Sequence, residues 1–174
     1  MTAPASVPAS VHVGTSSANV TGRERAVIGS GKAGVAVGAA PPVAVGLPEL
    51  HLVRPLPGFG ELDRFVLVRL GDDDGEPGVV YELRSLQDPD VRFLVGVPTA
   101  FFPDYAFELD EVSAEELELQ DAADALVLVV LTSGEDVAST TANLLAPVVL
   151  NARTRSAAQV ILSGTDWPVR APIG

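Results

Sequence analysis

Phe65-Val66-Leu67-Val68-Arg69-Leu70-Gly71-Asp72-Asp73-Asp74-Gly75-Glu76-Pro77-Gly78-Val79-Val80-Tyr81-Glu82-Leu83 decides the fold class. Its two ends are rich in β-branched and aromatic residues, which suit a pleated, half-buried surface. Its middle is Gly, Pro and Asp, which supply turn conformations. Two strands joined by such a turn form a β-hairpin. The same punctuation continues along the chain. Strands are predicted at Leu50–Val53, Val91–Val97, Leu126–Thr132, Val148–Ala152 and Gln159–Ser163, with Asp88-Pro89-Asp90 as a turn. The unbroken apolar run Ala125–Leu131 fits a buried strand.

One short helix is predicted. Ser113 reads as its N-cap, and Glu116 three residues on completes a capping box. Short strands at regular spacing with one helix give an all-β fold, an antiparallel barrel or sandwich. The folded domain is assigned to residues 45–174. Residues 1–44 read as a disordered, low-complexity extension: in residues 1–47 the bulky residues Phe, Tyr, Trp, Leu and Ile are represented only by Ile28 and Leu47. Two runs in the extension, Val35-Ala36-Val37 and Val43-Ala44-Val45, could still form a transient strand.

Charge is unevenly placed. Residues 1–48 carry Arg23, Arg25 and Lys32 against Glu24, a net of +2, while the remainder carries eight Arg against 22 acids, a net of −14. Between Asp104 and Asp124 there are nine acids and no base. Such a surface repels nucleic-acid phosphates and attracts basic proteins. A solvated face that only aids solubility is the commoner use of such a run. No apolar stretch approaches the roughly 18 residues of a membrane span. No secretory signal is evident, and the absence of cysteine fits a reducing cytosol and excludes thiolate metal sites.

Motifs for chemistry are weak. Gly29-Ser30-Gly31-Lys32-Ala33-Gly34 fits the dinucleotide pattern, yet Gly38 and Pro41-Pro42 leave no room for the helix that pattern needs. Ala33 also stands where a P-loop has its Ser or Thr. Asp72-Asp73-Asp74-Gly75-Glu76 stacks acids side by side instead of alternating them as a calcium loop does, and reads as a surface turn. His12 and His51 have no partner cluster. No cofactor, no metal and no catalytic set is expected, so an enzyme is unsupported.

Several landmarks carry a resemblance. In order they are Leu56-Pro57-Gly58-Phe59, Phe65-Val66, Phe101-Phe102-Pro103-Asp104-Tyr105, Glu115-Glu116-Leu117, Leu131-Thr132, Thr141-Ala142-Asn143-Leu144, Ala146-Pro147, Asn151-Ala152 and Gln159-Val160. Together they resemble the FliW family of flagellar assembly factors over about residues 45–174. Three departures stand out: the long extension, Arg54-Pro55 where the family often has His-Gly, and a first strand without the family's Phe-Gly-like element. The resemblance implies an all-β, small antiparallel pseudo-barrel and a cytoplasmic, non-enzymatic regulator. It implies two alternative partners, newly made flagellin and the translational repressor CsrA, so that flagellin level feeds back on its synthesis. Direct nucleic-acid contact, membrane contact and oligomerisation are not expected.

Partner-binding residues are expected in Phe101, Phe102, Pro103, Asp104 and Tyr105, in Glu115, Glu116 and Glu118, and in Asn143, Leu145 and Asn151. Strand alternation predicts that one of Phe101 and Phe102 faces the core and the other the partner, with Asp104 and Tyr105 at the rim. Asn143 and Asn151 could instead hydrogen-bond backbone of their own chain. The competing function class is an acidic structural β-barrel interaction protein with no role toward CsrA. A nucleotide-binding enzyme resting on the Gly29 motif is a third, weaker class.

Overall fold

A computed structural model describes residues 49–71, 78–136 and 138–174, and the backbone of a strand at Val35–Val37. The Gly29 motif, His12, Val43–Val45, the 72–77 turn and the remainder of the proposed disordered extension lie outside the described residues. Val35–Val37 itself is a strand, so the extension is not unstructured there.

The elements in chain order are β1 (Val35–Val37), β2 (Leu50–Leu52), β3 (Arg64–Arg69), β4 (Val80–Ser85), β5 (Arg92–Gly96), β6 (Phe107–Leu109), α1 (Glu111–Glu116), β7 (Ala125–Thr132), β8 (Thr141–Ala142), β9 (Val148–Asn151), β10 (Ser156–Gln159) and β11 (Ala171–Pro172). β3 and β4 form the expected hairpin, with Leu67 opposite Leu83. The main sheet runs β11-β8-β7-β5-β4-β3-β2-β10-β9, and β9 pairs back onto β7. That last pairing closes a seven-stranded barrel. One seam departs from the antiparallel expectation: β10 runs parallel to β2, with Ser156 opposite His51 and Ala157 opposite Leu52.

Alternation along β7 explains its unbroken apolar run. Leu126 and Leu128 point into the barrel beside Phe65, Leu83 and Leu150. Ala125, Val127, Val129 and Leu131 point outward, into a second core. There they meet Tyr105, Phe107, Leu109, Leu117 and Leu119 from the 105–119 segment, and Leu144. A strand buried on both faces has no position left for a polar residue. The 105–119 segment is therefore an outer layer, held over β7 and β9 by its own apolar residues.

Local chemistry fixes the ends. Leu56-Pro57-Gly58-Phe59 is a type II turn: the Phe59 N–H donates to the Leu56 carbonyl at 2.9 Å, and Gly58 takes the required positive φ of 87°. The turn sets the Phe59 ring edge-on against Phe93 at 4.9 Å, beside the barrel interior. The predicted strand at Gln159–Ser163 is displaced. The ladder ends at Gln159, but Val160 and Leu162 still donate to the Pro147 and Leu145 carbonyls at 2.9 Å. The helix cap is also displaced. Asp110, not Ser113, is the N-cap, and its side chain accepts from the Ser113 N–H at 2.9 Å.

Candidate partner-binding site

Phe101 and Phe102 do not lie in a strand. Val97 leads into a 3-10 turn over Pro98–Ala100, and both Phe amides donate to the Pro98 carbonyl, at 3.0 and 2.8 Å. The alternation rule therefore does not apply, and both rings are half-buried. Phe102 packs on the outer core together with Leu145. Phe101 lies over Gly96, where a Cβ would sit 3.1 Å from the Phe101 ring and 3.1 Å from Leu131. Pro103 and Asp104 are exposed.

Tyr105 is not at the rim. It is 3% exposed, and its hydroxyl donates to the Leu144 carbonyl at 2.7 Å. Its ring packs at a tilt against Trp167 with centroids 4.9 Å apart, and burial pushes its phenol pKa well above the usual value. The side chain thus ties the 101–105 turn to the β8–β9 connection. Asn143 is half-buried and shapes that connection, accepting from the Ala146 N–H at 3.1 Å.

The acidic helix is held from both ends. At its start, the Ser113 N–H holds the Asp110 carboxyl below its ordinary pKa. A carboxyl so depressed contributes stability above its unfolded pKa and loses it as pH falls through the folded value. Ser113 also accepts from Arg54 at 3.0 Å, and Arg54 pairs with Glu116 at 2.9 Å. Arg54 was not among the expected site residues. Its only sequence signal was its departure from the His-Gly pattern.

The helix ends in a Schellman motif. Leu119 N–H donates to the Ala114 carbonyl and Glu118 N–H to the Glu115 carbonyl, both at 2.9 Å. Glu118 occupies the left-handed position with φ 54°, where glycine is the usual residue. Asn151 locks this end. It is fully buried, and its Nδ2 donates to the Leu117 and Glu118 carbonyls at 2.9 and 3.0 Å. Its Oδ1 accepts from the Arg153 and Thr154 N–H groups at 2.9 and 3.2 Å. Asn151 joins the helix to the β9–β10 turn.

The arrangement leaves Glu111, Glu115 and Glu118 exposed without an ion-pair partner among the described residues, with Glu108 and Asp104 exposed on the preceding segment. Among the described residues no cluster of His, Cys, Asp and Glu is placed to hold a metal ion, and no helix is long and apolar enough to cross a membrane.

A family model described as FliW protein matches residues 44–173. The chain belongs to the FliW family. The flagellar assembly factor FliW of Bacillus licheniformis is 43% identical over 119 residues, covering 68% of this chain and 80% of the relative. That of Anoxybacillus flavithermus is 39% identical over 129 residues, covering 72% and 86%. A crystal structure of the flagellar assembly factor FliW superposes with a TM-score of 0.66 at 32% identity, covering 72% of this chain and 84% of that one. The FliW fold thus accounts for the barrel and its outer layer.

One residue of this FliW domain combines strain with exposure. A side chain in the left-handed region costs on the order of 1 kcal/mol, which glycine avoids. Glu118→Gly is therefore expected to stabilise the domain by about 0.5–1 kcal/mol, read as a raised melting temperature. A lowered melting temperature would mean that the Glu118 side chain contributes to the fold.

Proposed function

We propose that this chain is a flagellar assembly factor that binds newly made flagellin and, alternatively, sequesters the translational repressor CsrA, without enzymatic activity. The observation that carries the reading is the row of exposed carboxylates on α1, without an ion-pair partner among the described residues and fixed in place by Asn151 and Arg54. A protein that grips RNA must be basic where it meets phosphates. A rigid acidic ridge is complementary to such a surface and speeds its capture. Flagellin ends are amphipathic segments, and the half-buried Phe101, Phe102 and Leu145 offer an apolar shelf beside this ridge. Names of the relatives support the assembly role.

The test is association of the purified chain with CsrA at two salt concentrations. Between about 0.1 M and 1 M salt the screening length falls from ~10 Å to ~3 Å, so binding should weaken steeply. Glu115→Lys with Glu118→Lys should slow association by about tenfold or more while melting stays nearly unchanged. Glu116 is left alone because it holds Arg54. Salt-independent affinity would overturn the charge-driven account. Flagellin binding with no CsrA binding at low salt would leave an assembly factor without the regulatory arm.

A further inference from the structure

Among the described residues, two residues other than glycine have a positive φ, Glu118 at 54° and Arg155 at 69°. Left-handed backbone crowds any side chain, and glycine takes it without that cost. Both residues are charged and exposed, and Asn151 ties both into one corner of the fold. Its Nδ2 donates to the Glu118 carbonyl at 3.0 Å, and the Arg155 N–H donates to the Asn151 carbonyl at 2.7 Å. The fold draws on these two residues through their backbones. The Glu118 N–H donates to the Glu115 carbonyl, and the Arg155 carbonyl accepts from the His51 N–H at 3.0 Å. Glycine would make every one of these bonds. The Glu118 carboxylate and the Arg155 guanidinium make no hydrogen bond or ion pair among the described residues. Arg155 acts on Glu49 only at a distance, as the smallest of the charges that hold that carboxyl below its ordinary pKa, while Arg64 binds it directly.

Strain kept for a side chain that the fold does not use points to a use outside the fold. Resting on the reading of α1 as the face for a basic protein, we propose that Arg155 makes this face selective: it pairs with a carboxylate set among the bases of the partner, while Glu118 pairs with one of those bases. The neighbouring charges single out Arg155 for that role. Arg153, the other arginine of the β9–β10 turn, is already paired with Asp124 at 3.6 Å. Arg155 is left as an unpaired base, joined through Asn151 to the end of a ridge of unpaired acids. An acidic ridge alone attracts any polycation through its long-range field and sets no register. A cation brought onto Arg155 is repelled, whereas a partner that places a carboxylate there is held. Specificity is the difference between those two affinities. Because Asn151 holds both charges on one rigid base, a partner has to match them together.

The test uses the full chain as wild type, Arg155→Gly and Arg155→Lys. Each is titrated at low salt with CsrA and, separately, with polylysine, and melting is followed in parallel. Arg155→Gly should melt no lower than the wild type, because glycine keeps the backbone bonds and relieves the left-handed residue. It should bind CsrA about tenfold or more weakly, yet bind polylysine as tightly as the wild type or more tightly. Arg155→Lys keeps the charge and should stay within about threefold of the wild type toward CsrA. Undiminished CsrA binding by Arg155→Gly, where the wild type binds in a salt-dependent way, would overturn the role of Arg155 and leave the acidic ridge standing. A lowered melting temperature for Arg155→Gly would also overturn it, since the side chain would then serve the fold. Polylysine affinity that falls along with that for CsrA, or a loss in Arg155→Lys as large as in Arg155→Gly, would exclude the charge pairing. A wild type that does not bind CsrA at all would overturn the ridge and Arg155 together.

Discussion

Asn151→Ala should lower the stability of the domain by about 3–5 kcal/mol. The substitution strands two carbonyls at the end of α1 and two N–H groups in the β9–β10 turn, and a buried polar group left without its partner costs roughly 1–3 kcal/mol. For a domain of this size that is a fall in melting temperature of about 10–20 °C. Asn151→Asp sharpens the test. It keeps the acceptor for Arg153 and Thr154 but offers no donor to Leu117 and Glu118, and it brings a negative charge to their carbonyls. Both variants should also loosen the acidic ridge, so association with CsrA should fall in molecules that remain folded. A melting shift below about 3 °C for Asn151→Ala would mean that water replaces the amide, and that the ridge is not anchored there.

Phe65→Ala should be of similar size for a different reason. Phe65 is 0% exposed in the barrel interior, against Phe93 at 6.4 Å. Truncating a core Phe removes its transfer energy and leaves a cavity, together about 3–5 kcal/mol. Phe101→Ala and Phe102→Ala are the controls. Both rings are half-buried, so each should cost roughly half as much, about 1–2 kcal/mol. The informative measurement is flagellin binding per folded molecule. If Phe101→Ala and Phe102→Ala leave that binding unchanged, the apolar shelf is core packing only. Flagellin must then be sought on the α1 ridge.

The barrel strands were legible because burial leaves a period in the sequence. β3 and β4 alternate, and β7 is apolar from Ala125 to Leu131 because both of its faces are covered there. β10 was read too late in the chain: Ser156-Ala157-Ala158-Gln159 has no bulky residue, yet its two alanines fit tightly between β2 and β9. The parallel seam was not legible at all, since parallel and antiparallel pairing leave no local mark in a strand of this length. The helix cap was misplaced because Asp110 and Ser113 both have capping chemistry, and only geometry shows that Ser113 serves Arg54 instead. At the proposed site, the sequence does not give the directions of the side chains. Tyr105 and Asn151 look like surface recognition residues in a sequence. Each donates from its side chain to backbone carbonyls far away in the chain, which no local pattern reports.

The parallel seam has a consequence for how the chain is made. β2 gains its second neighbour only when β10 exists, with Leu52 opposite Ala157. Roughly a hundred residues separate the two. At a synthesis rate of about 5–20 residues per second, β2 and β3 wait on the order of 5–20 s with one apolar edge open. Pairings between such distant parts of a chain also slow folding itself, because the loop must close before any contact rewards it. The last third of the polypeptide is therefore the clasp. A ribosome that stalls before Ala157 holds an open, apolar trough in place of a barrel, and a release of such a fragment would yield a chain prone to aggregate.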